Sequence, residues 1–151
     1  MSHSIGMGVQ QPFYTFVTIT KSARKQAFFV IITSGSMGDF KKHFELMKEK
    51  QAAAHQALAS KQHSVVGDLA IKAVEQAIEA DAARGKIPRH FGEHEERLKY
   101  LKSLSEELYQ KARKLWFIYG DLGYDGVDGE RARRAMGYVD AIIKFFEERW
   151  K

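Results

Sequence analysis

The sequence predicts an all-α protein, a four-helix antiparallel bundle, and two observations support this fold class. Apolar residues recur at steps of three and four in four successive segments, which is the spacing of one helix face. Short connecting stretches contain the glycine, serine and proline that end helices. Cysteine is absent, so neither a disulfide nor a thiolate metal site contributes to the fold. Because short connections make neighbouring helices antiparallel, we expect an up-down-up-down arrangement.

The four helices are expected over residues 39–60, 64–84, 93–119 and 129–150. Their predicted caps and stops are Asp39, Ser64 and Asp128 at the starts, and Gly85 and Gly120 at the ends of the second and third helices. The second helix has alanine at several positions of its apolar face, and small side chains let neighbouring helix axes approach closely. We therefore predict that this helix lies at the centre of the bundle.

Residues 1–36 differ in character from the bundle domain, which is expected over 37–151. Segments 13–20 and 27–33 are rich in aromatic and β-branched residues, which suit a pleated surface. This pattern predicts either a short β-hairpin or an extended arm that is poorly ordered in the monomer. Since a lone hairpin is barely stable in water, it must dock on the bundle or pair with another chain.

The composition limits the class of protein. Hydrophobic residues make up 44% of the chain and charged residues 28%, so 151 residues can bury one core without a metal or a disulfide. No run of about 18 apolar residues is present to cross a membrane, and the N-terminus lacks a secretory signal pattern. We therefore expect a cytoplasmic protein that has no contact with membranes.

The positive charge is concentrated outside the predicted bundle. The net charge is +5, and three of the 24 basic residues lie in residues 1–36, which contain no acid. The bundle is left with 21 basic and 19 acidic residues and is nearly neutral. Its charge alone therefore does not indicate strong nonspecific binding to nucleic acid.

A dense polar cluster lies at the predicted junction of the second and third helices, and it consists of Arg89, His90, His94 and Arg97. The free backbone amides at the start of a helix point in the same direction and form a ready anion site. One interpretation is therefore a phosphate or nucleotide contact. The other is a loop of solvated charges with a histidine that caps the third helix.

A second basic patch opens the last predicted helix. Arg131 and Arg134 share one face there. Cations at a helix N-terminus oppose the helix dipole, so an anionic partner is one interpretation. A local ion pair with Asp128 or Glu130 is the other.

The sequence does not predict a metal site. The loop over residues 120–129 contains four glycines and three aspartates, but the aspartate spacing does not fit a calcium loop. No histidine follows a glutamate by three residues, as a two-metal helical bundle requires. His43 and His55 are twelve residues apart on the first helix, which is not a ligand spacing. We expect no metal and no cofactor.

Dimerisation is predicted from the number of aromatic residues near the ends of the last two helices. A helix with one apolar stripe cannot bury all of these aromatic side chains in the core. Exposed apolar patches usually mark interfaces between chains. These residues are Trp116, Phe117, Tyr119, Phe145, Phe146 and Trp150.

From the second helix onward, the sequence features follow one another in an order that resembles a known family. The alanine-rich helix over residues 69–80 is followed by Gly85, Pro88 and then histidines that lead into a leucine-spaced helix. A tyrosine-containing loop and a final amphipathic helix complete the chain. Over about residues 39–150 this pattern resembles a HEPN domain, a small nucleotide-associated helical bundle.

The resemblance implies a homodimer that contacts a nucleotide, an RNA or a nucleotidyltransferase-type protein. Many HEPN proteins are metal-independent ribonucleases that use an arginine and a nearby histidine at the start of the last helix. No histidine follows His94 in this chain, so we predict a non-catalytic binding module. Two alternatives remain. One is a ribonuclease that uses Arg89 and His94, which have an Arg-x-x-x-x-His spacing. The other is a scaffolding protein with no small ligand.

Overall fold

The computed structural model describes residues 36–125 and 129–151. These ranges contain five helices and no strand, which confirms the all-α class. The helices are α1 (Ser36–Ala59), α2 (His63–Ala83), α3 (His94–Leu104), α4 (Glu106–Asp125) and α5 (Gly129–Arg149). The predicted hairpin or arm and the predicted cap Asp128 lie outside the described residues.

A tight turn joins α1 to α2. Lys61 has a φ of 58°, and its N–H lies 3.1 Å from the carbonyl oxygen of Leu58. The N–H of Gln62 donates to the carbonyl oxygen of Ala57 at 2.9 Å, which completes a Schellman motif. Because this turn already places His63 in the helix, the predicted start at Ser64 is wrong. Gln62 is the cap residue, and its side chain makes no capping bond.

The prediction of one continuous third helix is wrong, because the chain reverses at Ser105. Ser105 is extended, with φ −161° and ψ 120°. Its hydroxyl accepts a hydrogen bond from the Leu108 N–H at 3.3 Å and so caps α4. The His94 ring stacks on Trp116, with ring centroids 3.2 Å apart. Since these two residues lie on opposite sides of Ser105, α3 and α4 form an antiparallel helical hairpin.

The prediction that Gly120 ends a helix is also wrong. Helix α4 continues through Gly120 to Asp125, so only residues 126–128 separate α4 from α5. A glycine inside a helix costs about 1 kcal/mol, which packing against neighbouring helices can offset. A single glycine therefore does not stop this helix.

The described residues form an all-α bundle of four long helices and one short helix, where the sequence predicts four helices in all. Helices α1 and α5 are antiparallel, because Lys48 pairs with Glu147 while His55 pairs with Asp140 at 2.9 Å. Helix α1 is also antiparallel to α2, since the Arg84 guanidinium lies 5.1 Å from the Phe40 ring centre. The short helix α3 is an addition to this bundle, and it packs on α2 and α4.

Helix α2 lies at the centre, as its alanines predict. It packs against each of the other four helices, and residues 77–83 are all buried. Four of its alanines have no exposed surface: Ala70, Ala73, Ala77 and Ala80. Within the described ranges, no helix combines the length and the apolar character that a bilayer span requires.

Candidate functional site

Three acidic side chains are buried in the second half of α2. Glu75, Glu79 and Asp81 are 8%, 2% and 5% exposed, respectively. Removing a carboxylate from water costs several kcal/mol unless charged partners and hydrogen bonds compensate. The surroundings of these three side chains therefore determine what this part of the protein can do.

Arg97 on α3 joins two of these acids. Its Nε lies 2.8 Å from Oε1 of Glu79, and its Nη1 lies 3.2 Å from Oε1 of Glu75. Its Nη2 donates to the carbonyl oxygen of Phe91 at 2.8 Å. All three guanidinium nitrogens are thus used within the protein, and the side chain is only 16% exposed. Arg97 compensates buried negative charge and fixes α3 against α2.

The loop between α2 and α3 completes the surroundings of Glu79. The Phe91 N–H donates to Oε2 of Glu79 at 3.1 Å. His90 Nδ1 lies 2.9 Å from the same oxygen, although the His90 side chain is 71% exposed. Glu79 therefore connects the interior of the bundle to a histidine at the surface.

A second histidine reaches this point from α1. His43 lies with its ring centre 5.7 Å from that of His90, and the two planes differ by 18°. Its Nδ1 lies 2.6 Å from Oε1 of Gln76 on α2. One ring nitrogen each from His43 and His90 and one carboxylate oxygen of Glu79 lie within 4.8 Å of one another. We call these three residues the His-Glu-His cluster.

His94 lies outside this cluster, at the start of α3. Its ring stacks on Trp116, and burial lowers its pKa from the ordinary value of 6.5, although the Glu75 carboxylate opposes this effect. Its Nδ1 is buried and has no hydrogen-bond partner among the described residues. The imidazole is therefore neutral near pH 7.

The structure divides the predicted anion-binding residues into separate environments. His90 and Arg97 meet at Glu79, whereas Arg89 is exposed and its backbone N–H donates to Ala82 at 3.2 Å. Arg131 and Arg134 are both exposed at the start of α5. Arg134 pairs with Glu130 at 3.2 Å, as one interpretation of the sequence predicts.

No family model matches the chain, and searches of curated proteins and of solved structures find no match.

Sequence reasoning missed Glu75, Glu79, Gln76 and His43 as members of a site. One signal was present: two glutamates one turn apart in an alanine-rich helix that was already predicted to be central. Acids on a buried helix require cations nearby, and this requirement points to Arg97 and His90.

A shallow apolar groove lies between the ends of α1 and α5. It has a volume of about 550 Å³, and Phe40, Phe44 and Trp150 form its apolar walls. The three rings contact one another, with the Phe40 and Trp150 centroids 5.3 Å apart. Charged residues border the groove: Lys144, Glu147, Glu148 and Lys151.

Proposed function

We propose that this chain is a non-catalytic, HEPN-like binding module that forms a homodimer. Its partner would be a nucleotide, an RNA or a nucleotidyltransferase-type protein. The proposal is supported by a contrast in the structure: buried polar groups find partners inside the chain, whereas one large apolar side chain is exposed to water. The polar groups of Arg97 and Glu79 are satisfied by each other, whereas Phe117 on α4 is 72% exposed. An apolar side chain in water favours burial against a partner.

Phe117 provides the support for a dimer. Of the six aromatic residues that predict dimerisation, Phe146 is buried and four others are partly buried, so the bundle itself accommodates five. The sixth, Phe117, has no such cover within the described chain. A second copy that buries Phe117 through a two-fold contact would remove this exposure from both chains at once.

Light scattering on the full chain at micromolar concentration tests the dimer. We expect the mass of two chains for the wild type and of one chain for Phe117→Glu. Val65→Glu is a matched control, because Val65 is a 41% exposed apolar residue on α2. The proposal fails if the wild type is a monomer.

The exposed arginines at the start of α5 support an anionic partner. The ion pair of Arg134 with Glu130 is largely solvent-exposed, and such pairs contribute about 0–1 kcal/mol. A phosphate can therefore compete with Glu130 for this guanidinium. We expect labelled RNA to bind the wild type in an anisotropy titration and to bind Arg134→Ala more weakly. Lys41→Ala, which removes an exposed cation on α1, is the control.

The ribonuclease that uses Arg89 and His94 remains a second candidate, because the lowered pKa of His94 keeps its imidazole able to accept a proton. Incubation of RNA with the protein in the presence of a chelator separates the alternatives. Protection without cleavage supports the binding module, and cleavage that His94→Ala abolishes supports the ribonuclease. Neither binding nor cleavage indicates a scaffolding protein.

A further inference from the structure

We propose that His43, Glu79 and His90 form a binding site for a divalent transition metal ion, with Zn²⁺ as the best fit. No metal is predicted from the sequence, in which these three residues are far apart. The fold brings them together from α1, α2 and the loop between α2 and α3. Two imidazoles and one carboxylate are a donor set that zinc uses when it keeps a fourth position for water.

The distances require only a small adjustment. The three donor atoms lie within 4.8 Å of one another, and His90 Nδ1 is already 2.9 Å from Oε2 of Glu79. Ligand atoms around a tetrahedral zinc ion are about 3.3 Å apart, given bonds of about 2.0–2.1 Å. Since no two of the donor atoms are more than 4.8 Å apart, no pair has to approach by more than about 1.5 Å to reach this spacing. The His90 side chain, which is 71% exposed, has room to adjust.

Neighbouring residues orient two of the three ligands. The Gln76 amide oxygen accepts a hydrogen bond from His43 Nδ1 at 2.6 Å. Because an amide oxygen can only accept, this bond places the proton on Nδ1 and leaves the lone pair of the His43 ring on Nε2. Glu79 is positioned by Arg97 Nε on one oxygen, at 2.8 Å, and by the Phe91 N–H on the other. Such second interactions are typical of metal ligands, and their loss usually weakens binding about 10–100-fold.

The charges are also compatible with a cation. Arg97 is the nearest fixed positive charge, but it is shared between two carboxylates, Glu75 and Glu79. Arg97 Nε donates a hydrogen bond to Oε1 of Glu79, and the other carboxylate oxygen, Oε2, faces His90. A metal ion at this point would lie between Oε2 of Glu79 and the His90 ring nitrogen, which now contact each other directly.

The test uses untagged full-length protein that has been treated with a chelator and then titrated with ZnCl₂ in a calorimeter. We expect one ion per chain, with an affinity at least tenfold lower in His90→Ala and in Gln76→Ala. His55→Ala is the matched control, because His55 is a histidine of α1 that pairs with Asp140 at the surface. His3→Ala controls for the N-terminal histidine. Both should bind as the wild type does.

Co²⁺ absorption gives a second measurement. Intense visible bands of a tetrahedral complex are expected in the wild type and should be absent in His90→Ala. Because His90 is largely exposed, this variant should keep its helical circular-dichroism spectrum, so a loss of binding is not a loss of fold. Absence of Zn²⁺ binding in the wild type, or equal binding by the wild type and His90→Ala, would overturn the proposal. Dimerisation and RNA binding are measured separately and do not depend on this result.

Discussion

The indole nitrogen of Trp150 lies 2.8 Å from Oδ1 of Asp81, a carboxylate that is only 5% exposed. The Tyr100 hydroxyl donates to Oδ2 of the same residue at 2.8 Å, and Arg149 Nε lies 3.1 Å from Oδ1. One buried carboxylate therefore joins the last turn of α2 to α3 and to the end of α5.

The contact between Tyr100 and Asp81 predicts a loss of stability at high pH. Burial and the hydrogen bond to Asp81 raise the pKa of Tyr100 from 10.0 to about 12. The pKa of Tyr100 is higher in the folded protein than in the unfolded chain. The contribution of the protonated Tyr100 hydroxyl to the free energy of unfolding is therefore complete below pH 10 and is lost as the pH rises toward 12. We expect the urea midpoint of the wild type to fall across this interval.

Tyr100→Phe removes the titrating hydroxyl and is the control for lysines that titrate in the same range. The variant should be less stable than the wild type at pH 8, and its midpoint should fall less between pH 10 and 12. Parallel curves for the two proteins over that interval would contradict the prediction.

Replacement of Arg97 should be among the most damaging changes in this protein. Arg97→Ala leaves the carboxylates of Glu75 and Glu79 buried without their shared cation. Removing one member of a buried pair typically costs about 3–5 kcal/mol. We expect a loss of this size in the free energy of unfolding, as measured by urea denaturation.

Two comparisons isolate the charge effect at Arg97. Glu79→Gln in the Arg97→Ala background should recover part of the loss, since a neutral amide is easier to bury than a carboxylate. Lys41→Ala removes an exposed pair with Glu45 and should cost less than about 1 kcal/mol. A similar small cost for Arg97→Ala would show that the buried pairing contributes little.

Lys61→Gly should stabilise the protein. Lys61 has a φ of 58°, a region that side chains other than glycine adopt at a cost of about 1–2 kcal/mol. Glycine adopts this φ without strain, but it also raises the conformational entropy of the unfolded chain. We therefore expect the free energy of unfolding to rise by about 0.5–1 kcal/mol. Lys61→Ala keeps the side-chain penalty and serves as the control in thermal melts. A glycine variant no more stable than the alanine variant would rule out the turn as the cause.

His94 should make the protein sensitive to mild acid. Burial lowers its pKa below 6.5, so the unfolded chain binds a proton more readily than the folded one. Its stabilising effect is therefore complete above pH 6.5 and decreases as the pH falls below that value. Proton NMR should show the His94 ring titrating below pH 6.5, and His94→Phe should reduce the acid dependence of unfolding. Titration at or above 6.5 would contradict the burial effect.

The elements that could be predicted were those with a continuous apolar period. The alanine face of α2 and the apolar seam of α5 predict where these two helices lie in the sequence and approximately where they end. The break at Ser105 was missed because Leu101 and Leu108 lie in the same core on either side of it, so the apolar spacing continues through the reversal. The acids that follow, Glu106 and Glu107, were the available sign of a new helix start.

The candidate site was less predictable, because it depends on contacts between distant parts of the chain. The basic residues of the junction could be recognised by their density. Their acidic partners Glu75 and Glu79 left only one sign in the sequence, their spacing of one turn on a helix predicted to be central, and periodicity alone does not say which polar residue of such a helix faces inward. His43 joins the cluster only through the antiparallel packing of α1 on α2.

The central position of α2 has a consequence for the opening motions of the molecule. Since α2 packs against all four other helices and residues 77–83 are all buried, we expect the backbone amides of this stretch to stay covered when a single neighbour detaches. Exchange of these amides with solvent deuterium then requires most of the bundle to open together. Their protection would report the global stability of the chain, whereas α3, with its smaller contact, can exchange through a local opening.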